Sequence, residues 1–354
     1  MKNQMKYFAF IFAISLFLFS CSKKEDTAVS PTTLKESLNL SMDKVKTAVS
    51  DIQSNSGYQI LSLNGGSKSM TVDSTYSGSI YLTDINGIYD YHPVMIMTYP
   101  PTINFFEKAG TSNLFIVRMP ENRVTQPGGP GHFVPGDTLA ANDFIVNVSD
   151  YQYRYTPFQG YDYKNTSNFN VKGVDAGTID IANKVNFRKD VNYLSTYTFT
   201  NGYITKCQSI SGDTTVSDYA ITKDGQTYFE EKFVGIRSDS MHFYQEKQYS
   251  LTVGNVTIIR TGPLSTAQVY LDGVLQQNAT VEIYDSTNDP GSVFKKRDLK
   301  ITFDDGTTST LSALAGQSIT DIGSLFCGLR NAWVATNIID RVAWDVYLQN
   351  HSTK

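Results

Sequence analysis

Residues that carry chemistry are scarce in this chain of 354 residues, which has 3 cysteines, 4 histidines and 2 tryptophans. No C-x-x-C pair occurs, and His92, His132, His242 and His351 lack the i, i+2 or i, i+4 spacing of a local metal site. A G-x-S-x-G elbow, a P-loop and a dinucleotide fingerprint are also missing. These absences exclude the enzymes that such motifs define, and no metal or cofactor is expected. Charge is thin as well, at 18% of residues, with 30 Lys+Arg against 34 Asp+Glu. That balance excludes nucleic acid, which needs a concentrated basic footprint. Long hydrophobic runs are limited to "YFAFIFAISLFLFS", residues 7–20. As a helix it reaches only about 21 Å, short of the roughly 30 Å hydrocarbon core.

That run follows Lys2 and Lys6 and ends at Leu18, Phe19, Ser20 and Cys21. A short positive start and an apolar stretch of this length are the parts of a signal peptide. The sequence around the cysteine resembles the lipobox of bacterial lipoproteins, with cleavage between Ser20 and Cys21. Phe19 is bulkier than usual at its place. The resemblance covers only the first two dozen or so residues. It implies acylation of Cys21 and anchorage in a lipid bilayer, where two or more chains hold stably. "SKKED", directly after Cys21, is similar to the surface-export signals of Bacteroidota lipoproteins. It implies display on the outer membrane at the cell surface, with the periplasmic face as the alternative. The organisation expected is a signal peptide over residues 1–20, a lipidated tether over 21–33 and a globular body over 34–354, with room for two sub-domains. The tether has a root-mean-square reach of roughly 20 Å. Without the leader, 28 basic residues face 34 acidic ones, a net charge of −6.

What the chain has in quantity is tyrosine and phenylalanine, 22 and 20 residues. Aromatic and β-branched residues fit a pleated, half-buried surface. One helix precedes the β signals. "TLKE" at residues 33–36 has the form of a capping box, and Leu38, Met42, Val45, Val49 and Ile52 make one apolar stripe. "SNSG", ending at Gly57, is expected to stop it, and "YQILSL" to begin a strand before the turn at Asn64 to Gly66. From there to about Tyr284 the pattern is β. Between residues 192 and 235, Asn201-Gly202, Gly212-Asp213 and Asp224-Gly225 mark tight turns and predict an antiparallel meander. "TQPGGPGHFVPGD", residues 125–137, reads as a loop. After Gly316 the spacing of Ile322, Leu325, Phe326 and Leu329 is helical. Residues 331–349 fit a strand or a helix, and the absence of turn signals favours helix. The hairpins starting at Gly57 and Gly202 share a grammar, a likeness that ordinary hairpins also show.

Few residues stand out as a site. Cys207 and Cys327 are a pair for one disulfide or two buried thiols. Asp84, Asp90, Asp150, Asp162, Asp304 and Asp305 are the carboxylates to weigh for glycan hydrolysis, which needs two of them roughly 5–10 Å apart. Several sit at turn signals, where Asp bonds its own backbone. The strongest lead is "YQYRYTPFQGYDY", residues 151–163. Tyr151, Tyr153 and Tyr155 alternate and so share a face of a strand, and Tyr161 and Tyr163 follow across a turn. With Arg154 they could hold a glycan or a peptide, since aromatic faces give large rigid contact area. The same pattern also describes an aromatic ladder inside a sheet.

The expected fold is mainly β: an antiparallel meander as a curved sheet, open barrel or sandwich, with an N-terminal helix and a helical C-terminal segment. The order of helix and meander is loosely similar to the periplasmic lipoprotein carriers of the LolA/LolB kind, a fold-level analogy. The expected function is a cell-envelope lipoprotein that binds a ligand without catalysis. Alternatives are a hydrophobic-ligand carrier or envelope-assembly factor, and a glycan-active hydrolase.

Overall fold

The structure, a computed structural model, describes residues 33–62, 78–96, 102–121, 141–188, 190–237, 244–286 and 296–351. The expected leader, Cys21, the turn expected at Asn64 to Gly66 and the Pro/Gly stretch at 125–137 lie outside the described residues. From Leu34 onward the chain forms one compact unit.

It is mainly β, as its alternating apolar pattern requires. Helix α1 (Leu34–Gln53) buries Leu38, Met42, Val45, Val49 and Ile52, the stripe visible in the sequence. A second helix, α2 (Ser56–Ser62), follows after two residues. This corrects the expectation of a strand over "YQILSL". Asn55 caps the new helix by accepting a bond from the backbone N–H of Gly57 at 2.9 Å. Gly57 itself packs so closely that a Cβ there would lie 2.2 Å from the carbonyl oxygen of Ala176. Tertiary docking on the sheet thus overrides local β propensity.

The next elements are β1 (Gly78–Tyr81), α3 (Leu82–Ile85), β2 (Gly87–Ile96), β3 (Thr102–Gly110) and β4 (Phe115–Met119). Then come β5 (Phe144–Thr156), β6 (Gly160–Val171), β7 (Val174–Val185), β8 (Val191–Thr198), β9 (Tyr203–Ser211), β10 (Thr214–Lys223), β11 (Gln226–Arg237) and β12 (Tyr244–Val253). The series ends with β13 (Val256–Arg260), β14 (Gln268–Leu271) and β15 (Val274–Leu275). Together they make a 15-stranded sheet in which β4 to β15 pair in sequence order. Every one of those neighbours is antiparallel, and all three tight turns fall where the sequence puts them. One pair departs from the pattern, since β2 runs parallel to β4. The order runs from β15 to β3 without joining, so the sheet is open and no barrel closes.

A small sheet of β16 (Thr280–Ser286), β17 (Lys296–Thr302) and β18 (Thr308–Thr310) joins the large one through a bridge between Ala267 and Val281. Helix α4 (Leu311–Ala315) leads into α5 (Gln317–His351), a single helix of 35 residues. The ambiguous tail is therefore helical. No helix among the described residues is long and apolar enough to cross a membrane.

Both long helices cover one face of the sheet. α1 packs against β11, β12 and β13. Phe326 of α5 meets Tyr219 and Phe229 with ring centroids 5.2 and 6.3 Å away. Further along α5, Trp344 reaches Tyr153 of β5. Residues that alternate toward the helices form the core, which is continuous from α1 through the sheet to α5.

Candidate functional site

Strands β5 and β6 form the hairpin that carries the tyrosine-rich segment. Its register pairs Tyr153 with Tyr163, Tyr155 with Tyr161 and Tyr151 with Asn165. The five tyrosines consequently share one face, as their spacing predicts. That face is the inner one. Tyr151, Tyr153, Tyr161 and Tyr163 are buried, and Tyr155 is partly covered. Their rings make edge-to-face pairs, Tyr151 with Tyr163 at 6.0 Å and Tyr153 with Tyr161 at 5.5 Å, while Tyr161 stacks on Tyr163 at 5.9 Å. Such pairs hold a ladder together. Arg154 alternates to the opposite face, where it pairs with Asp162 at 3.6 Å. Strand alternation therefore sets Arg154 apart from the tyrosines, and α5 lies over the face that they share.

That helix is α5. It presents Asp340 and, one turn later, Trp344. The hydroxyl of Tyr151 donates to Oδ1 of Asp340 at 3.1 Å, and the Tyr163 hydroxyl lies near the same carboxyl. Trp344 meets Tyr153 edge-on, with centroids 5.1 Å apart. At the helix end, Nδ2 of Asn350 donates to the backbone oxygen of Asp84 at 3.1 Å. Burial pushes the Asp340 carboxyl up to about 7, although its two tyrosine partners pull the other way. Burial likewise raises Tyr151 and Tyr163 well above the ordinary phenol range, and the nearby Asp340 adds to it.

Beside this cluster lie polar side chains that a plain core would not hold. Asn183 on β7 stands across from Tyr163 and is 1% exposed. Neither its amide nitrogen nor its amide oxygen meets a partner among the described residues. Asn165 accepts from the hydroxyl of Ser167, and its amide lies beside the Tyr163 hydroxyl. Thr205, on the same face, has a buried hydroxyl without a partner among the described residues and lines a cavity of about 10 Å³ with Ile179, Ser195, Tyr197 and Cys207. That space suits one water molecule. Leaving a buried amide unpaired costs on the order of 1–3 kcal/mol per group.

The other sequence candidates disperse. Asp84 accepts from the Tyr81 backbone N–H at 2.8 Å at the start of α3. Asp90 holds Arg118 through two bonds of 2.5 and 2.8 Å. Asp150 is exposed on β5. Asp305 bonds the backbone and hydroxyl of Thr307, which hold its carboxyl below the usual range, and Asp304 precedes it in the same turn. His92 pairs with Glu107 at 2.8 Å and His351 stacks on Tyr347. His132, His242 and the side chain of Cys327 lie outside the described residues, and Cys207 is buried on β9. Among the described residues no group of three or more His, Cys, Asp or Glu is placed to hold a metal.

Asp340, Trp344, Asn165 and Asn183 are the cluster members that sequence reasoning missed. Asn165 and Asn183 sit at inward positions of strands whose other inward residues are aromatic or aliphatic, and that alternation was readable. Compared with family models, curated proteins and solved structures, the chain matches none of them.

Proposed function

We propose that this protein is a lipoprotein of the cell envelope, held in the outer membrane through acylated Cys21 and displayed at the cell surface. Its body binds a glycan or a peptide without catalysis, on the inner face where β5, β6 and β7 meet α5. The observation that supports this reading is Asn183, a buried amide with donor and acceptor both free. It stands beside the Asn165 amide, the Tyr163 ring and the Asp340 carboxyl. Amides, a carboxyl and aromatic faces together are what a polar ligand with flat apolar sides requires. Access requires α5 to lift from the β5–β6 hairpin, which breaks the contacts of Asp340, Trp344 and Asn350.

The hydrophobic-carrier reading draws on a different stretch, the aliphatic floor of Leu251, Val253, Val256 and Ile258 beneath α1. An acyl chain suits that floor and would strand the amides of Asn165 and Asn183.

The test is thermal stabilisation of the purified chain by a panel of envelope glycans, peptides and fatty acids. A glycan or peptide is expected to raise Tm of the parent and not of Asn183→Leu. Stabilisation that survives this change, or that comes only from fatty acids, rejects the site. The anchor is tested separately. Cys21→Ala is expected to move the protein out of the detergent phase, and continued partitioning there would refute lipidation.

A further inference from the structure

Helix α5 does not cover the whole of the face it docks on. One row of the sheet register runs Tyr151, Asn165, Ile181, Ser195, Cys207 and Tyr219 across β5 to β10. α5 touches both ends of it, through Asp340 at Tyr151 and Phe326 at Tyr219. Between those ends Ile181, Ser195 and Cys207 are buried. Two residues along each strand lies the next row on the same face, with Asn183, Tyr193, Ser209, Ser217 and Phe233 across β7 to β11. Here Asn183 is buried, but Ser209 is exposed and Tyr193, Ser217 and Phe233 are half-buried. A trough therefore flanks the helix, roughly 14 Å long from Tyr193 to Phe233, the width of three strand spacings.

The trough has built ends and one kind of chemistry. Phe233 and Tyr193 stand at its two ends, the hydroxyls of Ser209 and Ser217 lie between them, and no member of the row carries a charge. Gly235, at a bulge in β11, leaves room for the Phe233 ring, since a Cβ there would lie 3.0 Å from it. Beyond Phe233 the row closes on Tyr249, which is buried and donates its hydroxyl to Glu231 at 3.0 Å. Beyond Tyr193 it runs into Asn183, whose amide meets no partner with either atom.

We propose that the trough is the outer part of the ligand site and that its occupant is a neutral glycan of about two to three sugar units, the length of the trough, with its terminal unit aimed at Asn183. The inference rests on the ligand reading above and narrows it to one class. Aromatic rings pack on the C–H faces of sugars, while serine hydroxyls and an amide exchange hydrogen bonds with sugar hydroxyls. An uncharged row offers no partner to an acidic sugar or a charged peptide. An extended peptide docks by adding a strand at a sheet edge, and β8 to β11 offer none, each being paired on both sides. The trough stands open while α5 is docked. The glycan settles there first, and release of α5 from the β5–β6 hairpin lets its end reach the Asn183 amide.

The test is titration calorimetry of the purified chain with neutral trisaccharides of glucose, mannose or N-acetylglucosamine, and with uronic-acid oligosaccharides and tripeptides of the same length. At least one neutral trisaccharide is expected to bind. Ser209→Trp, which fills the trough from an exposed position, is expected to weaken that binding about tenfold or more. Asn192→Trp, exposed on the opposite face of β8, should bind like the parent. Neither change should move Tm; should Ser209→Trp do so, Ser209→Gln takes its place. Binding that survives at Ser209→Trp but is lost in Asn183→Leu overturns the trough and leaves the ligand reading standing. Binding lost at Ser209→Trp but kept in Asn183→Leu supports the trough and rejects the buried amide. Preference for uronic acids or tripeptides overturns the neutral glycan, and equal losses in Ser209→Trp and Asn192→Trp overturn the site. A parent that binds none of these probes overturns the proposal together with the ligand reading.

Discussion

One sheet face carries two unlike floors. Beneath α1, the inner residues of β12 and β13 are Leu251, Val253, Val256 and Ile258, met by Leu38, Met42 and Val45. Beneath α5, the inner residues of β5, β6 and β7 include Tyr151, Tyr163, Asn165 and Asn183, met by Asp340 and Trp344. Burial is as complete in one as in the other for the strand residues. The first floor gains from removing apolar area from water, whatever the detailed geometry. The second depends on directional bonds whose loss leaves polar groups stranded in a low-dielectric setting. The difference teaches that α1 is held chiefly by apolar burial, while α5 adds to its own buried Leu325, Ile339, Val342 and Val346 a set of contacts that single protons and single hydroxyls can weaken.

The comparison breaks most sharply in the aliphatic floor. Leu38→Ala is expected to lower stability by about 2–5 kcal/mol in denaturant unfolding. A loss well below that would mean α1 is held loosely. The next effect separates the floors by pH. The Asp340 carboxyl is raised from 3.8 to about 7, so the folded chain holds a proton that the unfolded chain releases. This stabilisation is fully present below about pH 4, declines as pH rises and is gone above about pH 7. Asp340→Asn should flatten that decline in urea midpoints measured across the interval. An unchanged slope would place the titration elsewhere. Leu38→Ala should leave the slope as it is in the parent.

Tyr151→Phe removes the hydroxyl that donates to Asp340 and is expected to cost about 1–2 kcal/mol, more at pH 7.5 than at pH 5. Equal costs at both would show that the hydroxyl serves packing alone. Smallest of all is Asn183→Leu, which should shift stability by no more than about 1 kcal/mol and toward the stable side, since it replaces an unpaired buried amide. A large destabilisation would reveal a partner for that amide in the resting fold.

The apolar stripe of α1 and the turns of the β8–β11 meander were legible because both follow from local spacing. So was the shared face of the five tyrosines. Which face is covered is not written in alternation, because strand periodicity is the same whether a helix or water lies above. Arg154 is a different case, because alternation alone puts it on the face opposite the tyrosines. Helix α2 escaped because its cause is the contact of Gly57 with β7, more than a hundred residues later in the chain. Asp340 meets Tyr151 across 189 positions, and the parallel pairing of β2 with β4 is likewise a choice made in three dimensions. The candidate site is made of such distant meetings, and so only its tyrosine half could be read.

The order of pairing along the sheet has a consequence for how the protein is made. Each strand from β5 to β15 finds its partner immediately before it in the chain, so the sheet can grow by addition as the chain is made. α5 follows all of them in sequence, and until it docks the tyrosine face stays open to whatever is present. The interval between completing the sheet and receiving the helix is when that face is most open to water, and the proton on Asp340 favours the docking that ends it.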